Sequence, residues 1–216
     1  MPIRAVLWDF GGVVSTSPFD AFRAYEDRMG LPEGFLRTLN ATDPDTNAWA
    51  RLERNEVSVE EFCEQFEAEA RAAGGDRVVA LDVLGLLAGD VRPAVVEAIR
   101  RCRAAGFGTA LLTNNVVGFS RDGEGPHGPI LDLFDVVVES SKVGMRKPDE
   151  RFYRLACELL GIDPPEAVFL DDLGVNLKPA RAMGMTTIKV SDPDAALARL
   201  ESVLGIPLGD GAPPVG

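Results

Sequence analysis

The sequence predicts an α/β fold, a doubly wound parallel sheet with a helical cap inserted after its first strand. Two observations predict this fold class. Short runs of apolar residues alternate with helical patterns, as expected when helices cover both faces of a parallel sheet. A long interval without a comparable run follows the first of these runs, which indicates an insertion. At 216 residues the chain can bury a sizeable core.

The predicted strands are nearly continuous in apolar residues, a pattern typical of parallel strands that are buried on both faces. Each run is short and is bounded by residues that favour turns or helix ends. Strand, helix and strand then repeat along the chain, as in doubly wound sheets. The runs are residues 3–8, 108–114, 135–140, 167–172 and 186–191.

Two helices between these strands have recognisable ends. Pro93 suits the first turn of a helix that runs to about Ala105, and Gly106 suits its C-terminal end. A second helix is expected from near Pro148 to Gly161. The residues that this second helix is expected to bury are Phe152, Leu155, Ala156 and Leu159.

The interval before residue 90 reads as helices. Ser58 and Glu61 form a capping box, in which each side chain bonds the other residue's backbone N–H. The interval leaves and re-enters at the carboxyl end of the first strand, where α/β sheets bind ligands, so a cap is favoured over helices that extend the core. The apolar stripe expected after Ser58 is Val59, Phe62, Cys63, Phe66 and Ala70.

The predicted domain organisation follows from these elements. Residues 1–16 and 90–206 form the core, and residues 17–89 form the cap. The Gly/Pro-rich tail, residues 207–216, is expected to be disordered.

Composition narrows the classes of partner. The net charge of −12 argues against a nucleic-acid partner, although a divalent cation and local lysines could still reverse the field in a cleft. No apolar run approaches the length of a membrane span, and the first residues show no targeting leader, so we expect a cytoplasmic protein without a membrane partner. Three widely spaced cysteines and a single histidine make a zinc site improbable and predict reduced thiols. The sequence does not indicate an oligomeric state.

Four of the five predicted strands end in, or lead to, residues that can carry chemistry. Taken singly, each is better explained as a cap, a turn or a solvated charge. Parallel strands direct their carboxyl ends to one edge of a sheet, so the combination predicts a single site. The residues are Asp9 after the first strand, Thr113, Asn114 and Asn115 after the second, Lys142, Arg146 and Lys147 after the third, and Asp171, Asp172 and Asn176 after the fourth.

This set of side chains suits phosphoryl transfer. Three carboxylates can hold Mg²⁺, which prefers oxygen ligands. An ionised aspartate can attack phosphorus and form an aspartyl-phosphate. A hydroxyl, backbone amides and a lysine can bind the phosphoryl oxygens and neutralise charge, and catalysis of this reaction is mostly positioning and electrostatic stabilisation.

The motifs WDFGGVV, LLTNN, GMRKPDE and FLDDLGVN, in this order, resemble the haloacid dehalogenase superfamily. The resemblance covers about residues 3 to 205 and implies a Rossmann-like core with a C1-type helical cap. The segments WARLERNEVSVEEF and GMRKPDERFY are similar to bacterial sugar-phosphate phosphatases and to the N-terminal phosphatase domain of soluble epoxide hydrolases.

The resemblance also implies roles for individual residues. It makes Asp9 the nucleophile and a metal ligand, and Lys147 and Thr113 catalytic residues. Lys142 is the weaker candidate for the lysine, because a proline and a helix follow Lys147. The implied phosphate-binding residues are Gly11, Gly12, Thr113, Asn114 and Lys147. The implied ligands of Mg²⁺ are Asp9, the backbone carbonyl of Gly11, Asp171 and, more directly, Asp172, with Asn176 in support.

Gly11 departs from the pattern of this family. Most of its phosphatases have a second aspartate there, which protonates the leaving alcohol and later activates water. Losing such a group typically costs about 10²–10⁴-fold in rate. Three explanations remain open, in order of preference: a substrate with a good leaving group, another proton-transfer group, or binding without efficient turnover. The candidates for a replacement group are Ser15, Thr16, Asp20 and residues of the cap.

The predicted function is therefore a Mg²⁺-dependent phosphatase for a small-molecule phosphate monoester, with sugar phosphates as one candidate class. One alternative is a metal-independent 2-haloacid dehalogenase, for which Gly11 would be suitable. Asp171 and Asp172 argue against it, because two more carboxylates would repel an anionic substrate. The other alternative is a weakly catalytic phosphate-ester-binding module.

Three other side chains have open interpretations. His127, in a Gly/Pro-rich loop, is better explained as a surface residue than as a general base. Trp49 either packs within the cap or stacks on a substrate, and the former is favoured. Arg146 either helps to bind phosphate or is solvated.

Overall fold

A computed structural model describes residues 1–116 and 128–209. Its centre is one sheet of five parallel strands, which confirms the predicted doubly wound α/β fold. Numbered along the chain, the strands lie in the spatial order third, second, first, fourth and fifth. The first strand occupies the middle, so the two strands that carry the second and fourth motifs lie on either side of it. The strands are β1 (Ala5–Trp8), β2 (Gly108–Thr113), β3 (Val136–Glu139), β4 (Ala167–Asp171) and β5 (Thr186–Lys189).

Helices cover both faces of the sheet in separate hydrophobic clusters. One cluster joins the face of Trp8 and Leu170 to helices Pro93–Ala104 and Pro193–Leu204. The other joins the face of Leu7 and Phe169 to helices Glu150–Leu160 and Gly174–Ala182. Burial on both faces is the reason that the strands read as continuous apolar runs. The core helices are α6 (Pro93–Ala104), α7 (Gly128–Leu131), α8 (Ser140–Val143), α9 (Glu150–Leu160), α10 (Gly174–Ala182) and α11 (Pro193–Leu204).

The interval between β1 and α6 holds five helices with a hydrophobic cluster of their own. Within that cluster Trp49 packs edge-on against Phe22 and Phe62, and Phe62 stacks on Phe66 with ring centroids 5.1 Å apart. These helices are α1 (Phe19–Met29), α2 (Phe35–Ala41), α3 (Ala48–Glu53), α4 (Val59–Ala72) and α5 (Ala80–Gly85), and we refer to residues 17–89 as the cap.

The two chain segments that join cap and core are bonded to each other. Ser15 and Val91 form an antiparallel bridge, and the N–H of Thr16 donates to the carbonyl of Asp90 at 2.8 Å. The N–H of Asp90 donates in turn to the Thr16 hydroxyl at 3.0 Å. A Cβ at Gly89 would lie 2.6 Å from the Thr16 carbonyl oxygen, so this crossing needs glycine. The cap thus leaves and returns at one narrow hinge beside the end of β1.

Two predicted burial assignments are wrong. Val59 is 37% exposed because it is the first residue after the Ser58 cap, before the apolar face of α4 turns inward; the Ser58–Glu61 capping box itself is confirmed. Leu159 is 58% exposed. The buried face of α9 is centred on Phe152, Tyr153, Ala156 and Cys157, so Leu159 lies outside it.

Three smaller findings complete the fold. All three cysteines are free, with Cys102 and Cys157 buried, and burial raises the pKa of the Cys102 thiol to about 12. No helix in the described ranges is both long and apolar enough to cross a bilayer.

Leu208 is buried and donates its N–H to Glu201, so the packed core extends past the predicted boundary at residue 206. His127 and residues 210–216 lie outside the described residues.

Glu26 stabilises the start of α2 inside the cap. Its carboxylate is buried and accepts the backbone N–H groups of Gly34 and Leu36, each at 2.8 Å. A helix start leaves such N–H groups without partners inside the helix, and a buried donor without a partner is costly.

We expect Glu26→Ala to lower the free energy of unfolding by about 1–3 kcal/mol, because two N–H groups lose their acceptor. Denaturant unfolding measures this. Glu64→Ala, at an exposed position of α4, is the matched control and should change stability by about 0.5 kcal/mol or less. Equal losses in both variants would show that Glu26 does not cap α2.

Candidate active site

Asp9 stands at the point where β1 ends. One further hydrogen bond of the sheet follows β1, in which the Asp9 N–H donates to the Leu170 carbonyl at 2.9 Å. The chain then turns through Phe10–Val14. The Phe10 N–H donates to Asp9 Oδ1 at 2.7 Å, which fixes the carboxylate against its own backbone. Asp9 is 8% exposed, so its carboxylate lies in the site with little access to bulk water.

Lys147 lies between two of the carboxylates. Its Nζ is 2.6 Å from Asp9 Oδ1 and 2.9 Å from Asp171 Oδ2, and the residue is 1% exposed. Burial alone would lower the pKa of Lys147, but Asp171 and Asp9 outweigh burial and raise it, so the ammonium stays charged. Burial raises the pKa of Asp9 and Lys147 opposes that rise. The lysine therefore allows two acidic groups to share a buried space.

Asp171 is fully engaged by neighbouring donors. Besides Lys147, it accepts the Leu173 N–H at 2.8 Å and the Asn176 amide, whose Nδ2 lies 3.1 Å from both carboxylate oxygens. The Tyr153 hydroxyl donates to the Asn176 carbonyl at 2.7 Å and so fixes the start of α10. Asn176 thus positions Asp171, which agrees with the supporting role that the sequence suggested for it.

Asp172 is different, because it makes no ion pair with the described residues. Burial and the neighbouring Asp171 raise its pKa to about 6, against the opposing charge of Lys147. Its carboxylate lies against Gly12, where a Cβ would overlap Asp172 Oδ2. Gly12 also has a φ of +80°, a conformation that residues with a Cβ rarely adopt. The second glycine of the motif is therefore required by the close approach of Asp172.

Asp9, Asp171 and Asp172 form an acidic cluster that fits a divalent cation. Each offers a carboxylate oxygen, and these atoms all lie within 4.8 Å of one another. Burial and mutual repulsion raise the pKa values of Asp9 and Asp172 despite the nearby charge of Lys147, and a bound cation would relieve that repulsion. Because Asp171 is saturated with hydrogen bonds, Asp9 and Asp172 are the side chains with oxygens to spare. An all-oxygen donor set of this kind suits Mg²⁺.

The residues of the second motif, Thr113 and Asn114, contribute to the site in different ways. Thr113 is buried at the end of β2, and its hydroxyl makes no hydrogen bond to the described residues. The Asn114 side chain instead binds the backbone of Lys147: its Oδ1 accepts the Lys147 N–H at 2.8 Å, and its Nδ2 donates to the Lys147 carbonyl at 3.0 Å. Asn114 therefore positions the lysine, and both polar groups of its side chain are used in doing so.

Asn115 links β2 to β3, a role that the sequence analysis did not assign. Its Nδ2 donates to the buried Glu139 at 3.1 Å, and its Oδ1 accepts from Ser140 and Ser141. Lys142 contacts Glu139 at 2.6 Å. The weaker candidate for the catalytic lysine is thus paired outside the acidic cluster. The signal in the sequence was the polar run ESSK directly after a buried strand.

The predicted replacements for a proton-transfer group are otherwise engaged. The Ser15 hydroxyl donates to the Phe10 carbonyl at 3.3 Å, and the Thr16 hydroxyl belongs to the hinge. Asp20 has a side chain that is 87% exposed and pairs with Arg23. Gly11 has ordinary dihedral angles, with φ −69° and ψ 126°, and a Cβ there would meet no atom within 4 Å. Position 11 therefore has room for a side chain, but glycine supplies none.

Fold and site together define a capped α/β enzyme core whose strand ends carry an aspartate, a lysine and an acidic pair. A family model of haloacid dehalogenase-like hydrolases matches residues 3–184. The chain therefore belongs to the haloacid dehalogenase-like hydrolase family, which confirms that it is a hydrolase of this superfamily.

Curated relatives support this membership. The chain is 38% identical over 216 residues to acyl-CoA dehydrogenase family member 10 from Mus musculus, across 97% of this chain and 20% of that protein. It is 32% identical to bifunctional epoxide hydrolase 2 from Sus scrofa, across 96% of this chain and 40% of that protein. The chain thus spans two fifths or less of these two relatives. It is also 34% identical to phosphatase MT3486 from Mycobacterium tuberculosis (strain CDC 1551 / Oshkosh), across 86% of both chains.

Solved structures agree on the fold. A haloacid dehalogenase family enzyme from Bacteroides thetaiotaomicron, solved as a magnesium complex, superposes with a TM-score of 0.63 at 19% identity. The match covers 92% of this chain and all of that one (100%). The predicted resemblance to this superfamily and to soluble epoxide hydrolases is therefore confirmed.

We expect Gly12→Ala to destabilise the protein by about 1–3 kcal/mol, because the added Cβ meets the Asp172 carboxylate and because the positive φ is strained for alanine. Thermal unfolding of the metal-free protein measures this. Gly11→Ala is the matched control: it adds the same methyl group one residue earlier, into open space, and should be nearly neutral. Similar unfolding of the two variants would mean that the approach of Asp172 to Gly12 is not tight.

Proposed function

We propose that this protein is a Mg²⁺-dependent phosphatase that hydrolyses a small-molecule phosphate monoester through an aspartyl-phosphate on Asp9. The observation that carries the proposal is Lys147 Nζ between Asp9 and Asp171, with the unpaired Asp172 carboxylate beside them. This arrangement combines a carboxylate nucleophile, a buried cation and an acidic cluster. The similarity to a mycobacterial phosphatase supports the same reaction class.

The two oxygens of Asp9 have different surroundings. Oδ1 accepts the Phe10 N–H and contacts Lys147, whereas Oδ2 accepts no hydrogen bond from the described residues. We therefore assign Oδ2 as the attacking atom. A bond forms between this oxygen and phosphorus while the bond from phosphorus to the leaving oxygen breaks, and the leaving group departs with the electron pair. Water then attacks phosphorus, the bond between phosphorus and Oδ2 breaks, and Asp9 returns to its carboxylate form. Inorganic phosphate leaves, and the proton of the water passes to solvent.

The remaining residues hold the phosphoryl group and offset its charge. Lys147, kept protonated by its two carboxylates, faces the nucleophile and lowers the repulsion between Asp9 and a phosphate dianion. The Thr113 hydroxyl and the backbone N–H of Asn114 stand at the neighbouring strand end as donors to phosphoryl oxygens. Asp9 and Asp172, with the Gly11 carbonyl, would hold Mg²⁺. When bound, this ion supplies positive charge that offsets the carboxylates and the charge developing on phosphorus.

Gly11 restricts the substrates that can be turned over. No side chain at this position can protonate the leaving oxygen or activate water. Acyl, aryl and anomeric sugar phosphates release weakly basic groups and depend least on that proton. We therefore propose that the substrate belongs to one of these classes. A dehalogenase is less well supported, because Asp171 and Asp172 would oppose an anionic haloacid.

We expect release of p-nitrophenol from p-nitrophenyl phosphate in the presence of Mg²⁺, and its loss with EDTA. Asp9→Asn should lower the rate by about 10³-fold or more, because the amide cannot form the intermediate. Steady-state absorbance at neutral pH measures this. Absence of turnover above background in the wild-type protein would refute the phosphatase, and release that is indifferent to EDTA would refute the metal requirement.

We expect Gly11→Asp to raise turnover of an alkyl phosphate by about 10²-fold, since it adds a proton-transfer group where space exists. The effect on p-nitrophenyl phosphate should be smaller, because its leaving group needs no proton. Gly11→Asn, which has the same shape without the acid, is the control. Equal rates in the two variants would show that position 11 lies out of reach of the leaving oxygen.

A further inference from the structure

Arg146 crosses the boundary between core and cap. It directly precedes Lys147, and its Nε lies 2.7 Å from Glu53 Oε2, at the end of α3 in the cap. This contact is ionic and lacks the alignment of a hydrogen bond. A second group of the same side chain, Nη1, donates to the carbonyl of Pro44, also in the cap, at 2.9 Å. One core residue thus binds the cap through both its charge and a hydrogen bond.

Glu53 is a rigid partner for Arg146. The Trp49 indole N–H donates to Glu53 Oε1 at 2.9 Å, and Trp49 itself packs among Phe22, Phe62 and Phe66. The position of the Glu53 carboxylate is therefore set by the hydrophobic cluster of the cap. Trp49 packs within the cap, as the sequence analysis favoured, and Arg146 is paired rather than solvated.

The pair is largely removed from water. The side chain of Glu53 is 10% exposed and that of Arg146 is 20% exposed. Burial raises the pKa of Glu53, and Arg146, the Trp49 hydrogen bond and Lys147 oppose that rise. The contact lies close to Lys147, because Arg146 directly precedes that residue in the chain. Breaking such a pair from one side leaves an uncompensated, partly buried charge, which is costly.

Among the described residues this is the one ion pair between cap and core. The cap is also attached at the hinge, where Thr16 and Asp90 are bonded to each other, and Val116 of the core packs against its hydrophobic cluster. The cap is therefore held at its two chain crossings and, independently, at a residue that adjoins Lys147.

We propose that Glu53 is a positioning residue: by pairing with Arg146 it holds the cap closed over Asp9 and Lys147 during phosphoryl transfer. The expected effect on turnover rests on the proposed function, whereas the contact between Glu53 and Arg146 does not depend on it. A closed cap excludes water and fixes the substrate against the nucleophile. This matters more where position 11 offers no proton donor, because catalysis then depends on placement and electrostatics.

The test is a double-mutant cycle with Glu53→Gln and Arg146→Gln. Glutamine at 53 keeps an oxygen for the Trp49 hydrogen bond and removes only the charge. We expect each single variant to lower kcat/KM for p-nitrophenyl phosphate by about tenfold. The double variant should lose no more than Arg146→Gln alone, because that change already removes both the ion pair with Glu53 and the hydrogen bond to Pro44. Arg146→Lys, which keeps a positive charge, should retain part of the activity.

Glu56→Gln is the matched control, because it removes an ion pair with Arg54 that lies wholly within the cap. It should leave kcat/KM unchanged. Additive losses in the cycle, or an equal loss in Glu56→Gln, would overturn the positioning role. Thermal unfolding of every variant ensures that rates refer to folded protein.

A readout independent of turnover separates this inference from the proposed function. Hydrogen exchange of the metal-free protein should accelerate at the Thr16 and Asp90 backbone bonds of the hinge in both single variants, and not in Glu56→Gln. Faster hinge exchange without any phosphatase activity would support the contact and refute the function. Unchanged hinge exchange in an active enzyme would refute the contact alone.

Discussion

The buried ammonium of Lys147 is the interaction on which the rest of the site depends. Three carboxylates converge where β1 and β4 end, and in this confined space their repulsion would be prohibitive without a cation among them. The lysine is itself held by Asn114, which binds its backbone on both sides, while Asn176 holds Asp171. Asn114 of the second motif therefore positions the lysine of the third motif, and Asn176 of α10 positions the aspartate of the fourth motif.

The same logic explains the two glycines after the aspartate. Gly12 has no side chain because Asp172 occupies that space, so it is a packing requirement of the acidic cluster. Gly11 has room for a side chain, so packing does not require glycine at this position. For the phosphatase that we propose, the site would keep the groups that attack phosphorus and lack a side chain at position 11 to protonate a poor leaving group. We propose that the substrate is then selected by its leaving group and by the cap, which Arg146 and Glu53 join to the core.

Much of this arrangement could be predicted from the sequence, because parallel strands bring their carboxyl ends to one edge. That rule placed Asp9, Asp171 and Asp172 at one edge together with Lys142, Arg146 and Lys147, and the proline and helix after Lys147 favoured it among the lysines. What it could not supply is side-chain direction. Asn114 turns toward the backbone of Lys147, and the pairing of Glu53 with Arg146 depends on how the cap packs, which no local pattern encodes. Leu159 was misassigned for a related reason. The sequence shows which residues of the helix are apolar, but the packing of neighbouring elements decides which of them are buried.

The central claim is that Asp9 is the nucleophile, and Gly11 makes it accessible to direct measurement. Without a base at position 11, water should attack the aspartyl-phosphate slowly, so the intermediate should accumulate during turnover of p-nitrophenyl phosphate with Mg²⁺. Acid quenching, digestion and mass spectrometry of the peptide that contains Asp9 would detect it. We expect the mass of one phosphoryl group on that peptide in the wild-type protein. Rapid turnover with no phosphoryl group on it, or the same modification in Asp9→Asn, would contradict the mechanism.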